Sequence, residues 1–312
     1  MTAGEGFRRW CVPWKERVCD EVWPFSHGTA LRSRRYPDVW EYNCLRLDQP
    51  METIELIAVA GRELGDCAHR LVESLVPMPD GVVRELRERG WIANPPIYMR
   101  HDARAVLEDR RELVEVDYAT VRELRDIWHR EDFGDHTKTE AFHAQARAVA
   151  ELAGVRVMAA VEDGCVTGFA QVETHDGGSE VAQVFVRPER RGEGLGGALT
   201  AQAIRVASEA APQVWICAER DDRPRRLYQP LGFRPVIETG IAILPSKRST
   251  PVNPGRAAAP SPTRALSRRT APPPTVTRGR SSERQKRVAD RSSNLWYRFC
   301  RLRTSSRSAL RA

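Results

Sequence analysis

A glycine-rich segment follows a run of Val and Phe in the second half of the chain. It reads VFVRPERRGEGLGGAL, Val184 to Leu199, and contains Gly192, Gly194, Gly196 and Gly197. Glycines let backbone N–H groups converge and let a ligand approach without a Cβ in the way. A helix that begins there adds the positive end of its dipole. The segment therefore predicts an anion site at a strand-to-helix junction, with phosphate as the usual occupant.

Two common phosphate-binding loops fit this segment poorly. A Walker loop requires Lys and then Ser or Thr after its last glycine, and no Lys follows here. Gly192-x-Gly194 with Gly197 three residues later matches a dinucleotide fingerprint, but that motif belongs near the first strand of a parallel sheet. Several predicted strands, including an antiparallel hairpin, precede this loop. The pattern therefore disfavours a nicotinamide cofactor.

The elements predicted around the loop alternate between strands and helices from about 110 to 245. Val121, Leu124 and Trp128 fall on one face of the first helix, and a second helix ends at Gly154. Asp163-Gly164 joins two apolar strands as a hairpin turn. The remaining elements are a helix from about Gly194 to Ala211, the strand QVWICAE, a helix over Arg223–Leu231 and a last strand from Phe233.

Two motifs resemble a known family. The segment RGEGLG, from Arg191 to Gly196, resembles the R/Q-x-x-G-x-G/A loop of the GNAT (Gcn5-related) N-acetyltransferases. LYQPLGF, from Leu227 to Phe233, resembles the second hallmark of that family, and the intervening elements have the family's order. The resemblance covers about residues 110–240. It implies an α+β fold with a mixed, mostly antiparallel twisted sheet flanked by helices.

The first 109 residues repeat part of this order. Strands and helices are predicted as β-α-β-α-β over about 40–101, with DQPM where the second half has its glycine loop. The helix METIELIAVAGREL is predicted to turn Ile54, Ile57, Ala58 and Leu64 inward. We therefore expect residues 1–109 to form a degenerate half lobe of similar topology, as in tandem-lobe members of the family, and residues 110–245 to form the N-acetyltransferase domain.

The C-terminal 67 residues differ in composition from the rest. Residues 246–312 contain 17 Lys and Arg but only 2 Asp and Glu. The preceding part therefore contains 32 of the chain's 49 Lys and Arg and 40 of its 42 Asp and Glu. The body is mildly acidic and the tail strongly basic. A segment rich in Pro, Arg, Ser and Ala buries too little apolar surface to order itself. We predict a disordered tail, which is either an anchor for an acidic surface or a non-functional extension.

The resemblance implies a coenzyme A site, with acetyl-CoA as co-substrate and no metal. The pyrophosphate contacts fall on Arg191, Gly192, Glu193, Gly194, Leu195, Gly196 and Gly197. Phe185 and Val186 lie on the strand that the family separates from its neighbour to pair with the pantetheine arm. The family often carries Asn where this chain has Asp221, and a carboxylate cannot donate as an amide does. That substitution puts the contact of Asp221 with the cofactor in doubt.

The implied chemistry is direct attack of a neutral amine on a thioester carbonyl. A base must take a proton from the amine, and an acid can protonate the departing thiolate. Tyr228 matches the tyrosine that the family uses as acid, and its alternative role is a core aromatic beside Phe233. Glu173 is our candidate base. Glu180 is a second candidate, and either residue could instead be a solvated carboxylate at a strand end.

Other reactive residues carry weaker signals. The seven cysteines are odd in number and form no C-x-x-C, which disfavours a disulfide framework or a zinc ribbon. Cys217 fits a core strand better than a covalent nucleophile. His129, His136 and His143 recur every seven residues, but Gly134 interrupts a helix that would align them. We therefore expect no metal site.

Three functions remain open at this point. The first is an acetyl-CoA-dependent N-acetyltransferase that acts on a primary amine of a small molecule or peptide. The second is a non-catalytic acyl-CoA-binding module, and the third is a nucleic-acid-associated protein that uses the basic tail. No apolar run suits a membrane span or a secretory signal, so a cytoplasmic protein without membrane contact is expected. The oligomeric state is not determined by the sequence.

Overall fold

Residues 3–101, 113–133, 140–220 and 228–245 form two β-sheets with helices packed on them in a computed structural model of the chain. The helices are α1 (Ala3–Val18), α2 (Thr53–Glu63), α3 (Asp80–Glu88), α4 (Arg122–Phe133), α5 (Glu140–Leu152) and α6 (Leu195–Ala210). The strands are β1 (Glu21–Phe25), β2 (Gly28–Arg32), β3 (Cys44–Leu47), β4 (His69–Ser74), β5 (Ile92–Asn94), β6 (Pro96–His101), β7 (Val114–Val116), β8 (Arg156–Glu162), β9 (Cys165–His175), β10 (Gly178–Val186), β11 (Gln213–Glu219), β12 (Phe233–Glu238) and β13 (Gly240–Pro245). Short 3₁₀ turns cover Trp40–Tyr42, Tyr118–Val121 and Pro188–Arg190.

The two sheets have the same plan and exchange one strand. The first sheet has the order β1-β2-β3-β4-β13-β5, and the second has the order β12-β6-β11-β10-β9-β8-β7. The pairs β3–β4 and β10–β11 are parallel, and each is joined through a helix, whereas the other pairs are antiparallel. Strand β6 from the first half lies between β11 and β12, and β13 from the second half lies between β4 and β5.

The predicted similarity between the halves is confirmed and extends further than the sequence suggested. Hairpin β1–β2, in a segment to which the sequence analysis assigned no element, occupies the place in the first sheet that β8–β9 occupies in the second. The α+β class, with mostly antiparallel sheets flanked by helices, is likewise confirmed. The predicted boundary at 109/110 and the predicted tail, 246–312, lie outside the described residues.

Helix α6 forms the core of the second half by packing on β8, β9, β10 and β11. Its Leu199 and Ile204 are buried against Val184 and Ile216 of the sheet. Full burial of a leucine or isoleucine side chain contributes about 1.5–3 kcal/mol relative to exposure. The glycine loop is therefore attached to a rigid helix rather than to a surface segment.

Most local predictions in the second half are confirmed. The hairpin turn has Asp163 and Gly164 at φ values of 51° and 76°, as a two-residue turn of this type requires. Val121 and Leu124 are buried, and Trp128 packs beside them. Gly154, after α5, has a φ of 58°.

One predicted helix face is wrong. In α2 the buried side chains include Leu56, Val59 and Ala60, whereas Ile54 is 74% exposed and Ala58 is also exposed. A helix rich in apolar residues on several sides has more than one possible inward face, and the contacts with β4 and α3 select this one. Of the four residues predicted inward, Leu64, just after the helix end, is fully buried and Ile57 is partly buried.

None of the helices in the described part of the chain is long and apolar enough to cross a membrane.

Candidate active site

The glycine loop lies between β10 and α6 as predicted. Gly192 and Gly194 have φ values of 90° and 79°, a backbone region that residues with a Cβ rarely adopt. Gly194 is the N-cap of α6, and its carbonyl oxygen accepts hydrogen bonds from the amides of Gly197 and Ala198. The first amides of a helix have no acceptor within the helix, so those of Leu195 and Gly196 are available to an anion.

Strands β10 and β11 separate close to where β10 begins. Among the described residues, their parallel pairing covers Gly178–Glu180 opposite Gln213–Trp215. Beyond this point β10 stays paired with β9 as far as Val186, while β11 pairs with β6. A β-bulge at Ala182 marks the divergence. The result is a V-shaped opening whose wide end faces the glycine loop.

The corresponding strands of the first sheet stay together. There β3 and β4 pair over Leu45–Leu47 opposite Val72–Ser74, which are the last residues of both strands. The amide of Leu75 then donates to the carbonyl of Leu47 at 2.8 Å. The opening and the glycine loop therefore belong to the second half of the chain.

A cavity of about 230 Å³ begins where β10 and β11 separate. Ala182 and Gln183 of β10 and Cys217 of β11 lie in its wall, and helix α1 contributes Trp10 and Lys15. Both halves of the molecule contribute to the cavity. Helix α1, strand β4 and the 3₁₀ turn Trp40–Tyr42 of the first half line one side, and β9, β10, α4 and α5 of the second half line the other. Its aromatic lining residues are Trp10, Trp14, Trp40, Tyr42, Tyr98, Tyr118, Trp128 and Phe142.

Four glutamate carboxylates line this cavity, besides the exposed Asp38. Glu173 of β9 and Glu180 of β10 are directly opposite each other in the antiparallel register, and Glu41 and Glu73 face them from the first half. Lys15 Nζ donates to both carboxylate oxygens of Glu73 at 2.6 Å. Burial, the largest single influence, would lower the pKa of Lys15. The charge and hydrogen bond of Glu73, together with the charges of Cys44 and Glu41, outweigh it, so the net shift is upward.

The other three carboxyl groups have raised pKa values. Burial raises the pKa of Glu41 to about 7, with Lys15 opposing the shift and Glu173 adding to it. Burial and the charge of Glu173 raise the pKa of Glu180 well above its ordinary value. Burial also raises the pKa of Glu173, against the donation from Gln171 and the charge of Arg125. Glu41 can therefore exchange a proton near neutral pH, and Glu173 and Glu180 retain their protons to higher pH than a surface carboxyl group does.

Arg125 organises the side of the cavity next to the strand opening. Its guanidinium donates to Gln183 Oε1 at 2.9 Å and to Gln171 Oε1 at 2.8 Å, and it lies 3.8 Å from the ring centroid of Tyr118. Gln171 Nε2 donates to Glu173 at 2.7 Å. Gln183 is 3% exposed, and its Nε2 has no hydrogen-bond partner among the described residues. One buried chain of contacts thus fixes Glu173 and leaves a free donor at the opening.

Comparison with known proteins finds a family model that matches a segment of the second half of the chain. The family model described as an acetyltransferase (GNAT) domain matches residues 153–235, which include β9, β10, the glycine loop, α6 and β11. The chain carries a GNAT acetyltransferase domain. No curated protein matches the sequence.

Solved structures share the fold at low sequence identity. A GCN5-related N-acetyltransferase from Kribbella flavida has a TM-score of 0.53 and 19% identity, over 78% of this chain and 95% of that one. A functionally unknown conserved protein from Staphylococcus epidermidis has a TM-score of 0.55 and 13% identity, over 73% of this chain and 94% of that one. At these identities the similarity concerns the fold.

The predicted cofactor residues of the GNAT domain have different environments. Gly192, Glu193 and Gly194 are exposed, Gly197 is half-buried, and Leu195 and Gly196 are buried in the first turn of α6. The side chains of Phe185 and Val186 belong to apolar clusters on opposite faces of the sheet, so β10 offers its backbone there. The predicted contact at Asp221 lies outside the described residues.

The side chain of Arg191 faces the protein interior. Its Nε donates to the carbonyl oxygen of Val186 at 3.0 Å, one Nη donates to Glu131 at 2.8 Å, and the guanidinium lies 5.3 Å from the ring centroid of Phe185. Only 8% of this side chain is exposed. Arg191 therefore holds the loop against α4, and any contact of this residue with an anion would come from its backbone.

The two predicted catalytic residues of the GNAT domain lie in separate environments. Glu173 lines the cavity, whereas Tyr228 is fully buried, with its ring edge-to-face against Phe233 at 6.1 Å between centroids. Tyr228 is not among the described residues that line the cavity. Cys217 is buried in β11, as predicted for a core strand residue, and also reaches the cavity wall.

Two histidines of the predicted series, His129 and His143, lie in the described part of the chain. His129 is buried on the cavity wall, His143 lies on α5 with its Nε2 3.0 Å from Asp126, and His136 lies outside the described residues. In the described ranges, no group of three or more His, Cys, Asp or Glu side chains could hold a metal ion.

Several cavity residues were missed by the sequence analysis. Trp10 and Trp14 lie one turn apart on α1. The imidazole of His175 stacks between them, with its ring centroid 5.3 Å from that of Trp10 and 5.1 Å from that of Trp14. The i, i+4 spacing of the two tryptophans was a usable signal, but Pro13 lies inside this helix and conceals it. Glu41 and Arg125 had no local signal, because their roles arise only when distant elements pack together.

Proposed function

We propose that the protein is an acetyl-CoA-dependent N-acetyltransferase that transfers the acetyl group to a primary amine of a small molecule or peptide by direct attack. The observation that carries this proposal is the meeting of two features at Ala182, Gln183 and Cys217. On one side is the strand opening that leads to the glycine loop, and on the other is the carboxylate-lined cavity. An acyl donor and an amine acceptor would meet at this point.

The glycine loop fits the pyrophosphate of acetyl-CoA. A Cβ added to Gly197 would meet no atom within 4 Å, so space is open beside the first amides of α6. The backbones of Gly192 and Gly194 adopt conformations that bring amides together in a concave surface. Residues 191–197 would hold the pyrophosphate, and the unpaired edge of β10 from Ala182 to Val186 would pair with the pantetheine arm. Acetyl-CoA supplies an activated acetyl thioester when bound.

Glu173 is the group best placed to take the proton of the amine. It lines the cavity, its carboxylate accepts from Gln171, and its pKa is raised by burial toward the range in which a carboxylate is an effective base. Glu180, directly opposite, can share that proton. In this proposal Arg125 acts through Gln171 and Gln183 as a positioning residue.

Tyr228 keeps its proposed role as the acid that protonates the thiolate. Its support is the match of LYQPLGF to the family motif and the position of this residue five residues before the start of β12. Because the ring is buried beside Phe233, the phenol must reach the opening through its hydroxyl group alone.

The test is a transfer assay with the full chain. Acetyl-CoA is mixed with a panel of primary amines, the release of free thiol is followed, and acetylated products are identified by mass spectrometry. We expect thiol release that depends on an amine, together with an N-acetylated product. Binding of acetyl-CoA without transfer to any amine would contradict the enzyme proposal and support the non-catalytic acyl-CoA-binding alternative.

A further inference from the structure

We propose that the acceptor is a small organic diamine whose two nitrogens are bound by Glu41, Glu173 and Glu180 within the cavity. This inference rests on the proposed function for the role of the diamine as acceptor, but the binding site itself does not depend on acetyl transfer.

The charge balance of the cavity wall indicates a ligand with two positive charges. Its formally charged lining groups are the carboxylates of Glu41, Glu73, Glu173, Glu180 and Asp38 and the cations Lys15 and Arg125. Asp38 is exposed and accepts from Gln145, and Glu73 is neutralised by Lys15. Arg125 faces Gln171 and Gln183. Among the described residues, no Lys, Arg or His lies within ion-pair distance of Glu41, Glu173 or Glu180, so one cation faces three carboxylates.

The register of β9 and β10 makes this arrangement unfavourable without a ligand. Glu173 and Glu180 are a directly opposed cross-strand pair, and like charges at such positions destabilise a sheet. The neighbouring pair on the other face, Thr174 and Ser179, is matched by a hydrogen bond of 2.7 Å between their hydroxyl groups. An ammonium group between Glu173 and Glu180 would remove the repulsion and supply donors to both carboxylates.

A second observation points to a ligand independently of the charges. Gln183 is 97% buried, lines the cavity, and has an Nε2 donor without a partner among the described residues. Leaving a buried donor unpaired costs about 1–3 kcal/mol. A ligand atom with a lone pair at the strand opening would satisfy it. Once Glu173 has taken a proton from one ammonium group of the bound dication, the uncharged nitrogen has such a lone pair, and that is also the reactive form of an acceptor.

The aromatic walls favour an organic ammonium over a metal cation. Tryptophan and tyrosine faces attract weakly hydrated organic cations, and a hydrocarbon chain between two nitrogens packs well against the same rings. A cavity of about 230 Å³ limits the occupant to a small molecule. A diamine with a short alkyl chain meets each of these requirements.

The test is calorimetric titration of the full chain with 1,5-diaminopentane and with pentylamine, which has the same chain and one amine. We expect the diamine to bind about tenfold more tightly or better, because a hydrogen-bonded charge contact is worth about 1.5–3 kcal/mol. Equal affinity for the two ligands would overturn the inference. Glu180→Gln should abolish the preference, whereas Glu88→Gln, an exposed change on α3, should preserve it.

Proton exchange gives a second readout that a nonspecific amine site would not show. The titratable and charged groups that face Glu180 include Glu173, Lys15, Glu41, Glu73, Cys11 and Tyr98, and Arg125 faces Glu173. Cation binding lowers the pKa of these carboxyl groups and releases protons, so the binding enthalpy at pH 7 should differ between phosphate and Tris buffers. A buffer-independent enthalpy would contradict the inference.

A parallel titration with acetyl-CoA separates the two proposals. Acetyl-CoA binding without a preference for the diamine overturns the inference and leaves the proposed function standing. Diamine binding without acetyl-CoA binding supports the carboxylate site and contradicts the proposed function and, with it, the acceptor role of the diamine.

Discussion

Individual carboxyl groups in the cavity differ from surface carboxylates because the cavity wall already removes them partly from solvent before any ligand arrives. Burial raises the pKa values of Glu41, Glu173 and Glu180, and the charge of Glu173 adds to the shifts of Glu41 and Glu180. Lys15 does not compensate all of them, since it is hydrogen-bonded to both oxygens of Glu73. Each residue therefore makes a distinct prediction about catalysis or about pH.

Glu173→Gln should lower kcat by about 10²–10⁴-fold, which is the usual contribution of a general base. The affinity for acetyl-CoA should change little, because Glu173 lies in the cavity and not at the glycine loop. Steady-state kinetics with a reactive amine, together with a separate acetyl-CoA titration, measure the two effects. A near-wild-type kcat in Glu173→Gln, with a large loss in Glu180→Gln, would transfer the role of base to Glu180.

Glu41→Gln should make the stability of the protein less dependent on pH. The pKa of Glu41 rises from 4.5 to about 7 on folding, so the folded state binds more protons between these pH values. A carboxyl group of this kind stabilises the fold at low pH, and that contribution is lost as the pH rises through 7. The difference in unfolding free energy between wild type and variant should change by about 3 kcal/mol between pH 4.5 and pH 8.

Urea unfolding at the two pH values measures this difference for Glu41→Gln. Glu88→Gln serves as the control, because Glu88 is exposed on α3. His69 and His175, whose pKa values burial lowers to about 4, give the opposite pH dependence. For this reason the comparison is made between variants and not on the wild type alone. If the unfolding free energies of wild type and Glu41→Gln differed by the same amount at pH 4.5 and pH 8, the prediction would be contradicted.

At the residue scale the sequence predicted the loop better than the cavity. Gly192 and Gly194 were found because glycine spacing is a local signal, and the structure places both at positive φ. Arg191 was expected at the anion site, but its guanidinium is bound to Glu131 and the carbonyl of Val186. Glu41 could not be found, because its position depends on the packing of the two halves.

At the scale of elements, the loop and helix α6 act as one unit. Gly197 lies in the first turn of α6, where an added methyl group meets no protein atom. Gly61 offers the same open space on α2, in the other half of the molecule. These two helical glycines allow the space beside the loop to be tested without disturbing the fold.

Gly197→Ala should weaken acetyl-CoA binding by about tenfold or more, because the methyl group would occupy space beside the amides that bind the pyrophosphate. Both Gly197→Ala and Gly61→Ala should leave the fold intact or stabilise it by about 0.5–1 kcal/mol. Acetyl-CoA titration and thermal unfolding of the two variants test this pair. Unchanged affinity in Gly197→Ala would place the cofactor elsewhere.

Element types were predictable where the pattern was strong. The hairpin β8–β9 was predicted from two apolar runs joined by a turn signal, and the predicted strand QVWICAE has the same bounds as β11. Helix α1 was missed because Pro13 lies inside it. The inward face of α2 was assigned wrongly because apolar residues occur on several sides of the helix.

At the scale of the whole molecule, each sheet depends on a strand from the other half. Strand β13 pairs with β4 over six residues and with β5 over three, in the interior of the first sheet. Strand β6 has the same role between β11 and β12. The sequence suggested the repeat but not the exchange, because strand order within a sheet has no local signal.

Removal of β13 should therefore unfold the first sheet. A chain ending at Thr239 should lose its cooperative thermal transition, because the loss of an interior strand exceeds a typical domain stability of about 5–15 kcal/mol. A chain ending at Pro245 retains every described strand and is the matched control. Differential scanning calorimetry of the two truncated chains decides the point. A similar Tm in both would show that β13 is dispensable.

The arrangement of the glycine loop and the strand opening predicts that together they bind acetyl-CoA. Calorimetric titration of the full chain with acetyl-CoA tests it most directly, beside a Gly194→Asp, Gly196→Asp double variant whose folding is verified by circular dichroism. We expect micromolar binding by the wild type and its loss in the variant, since two carboxylates would repel the pyrophosphate. No binding by folded wild-type protein, or equal binding by both proteins, would contradict the account.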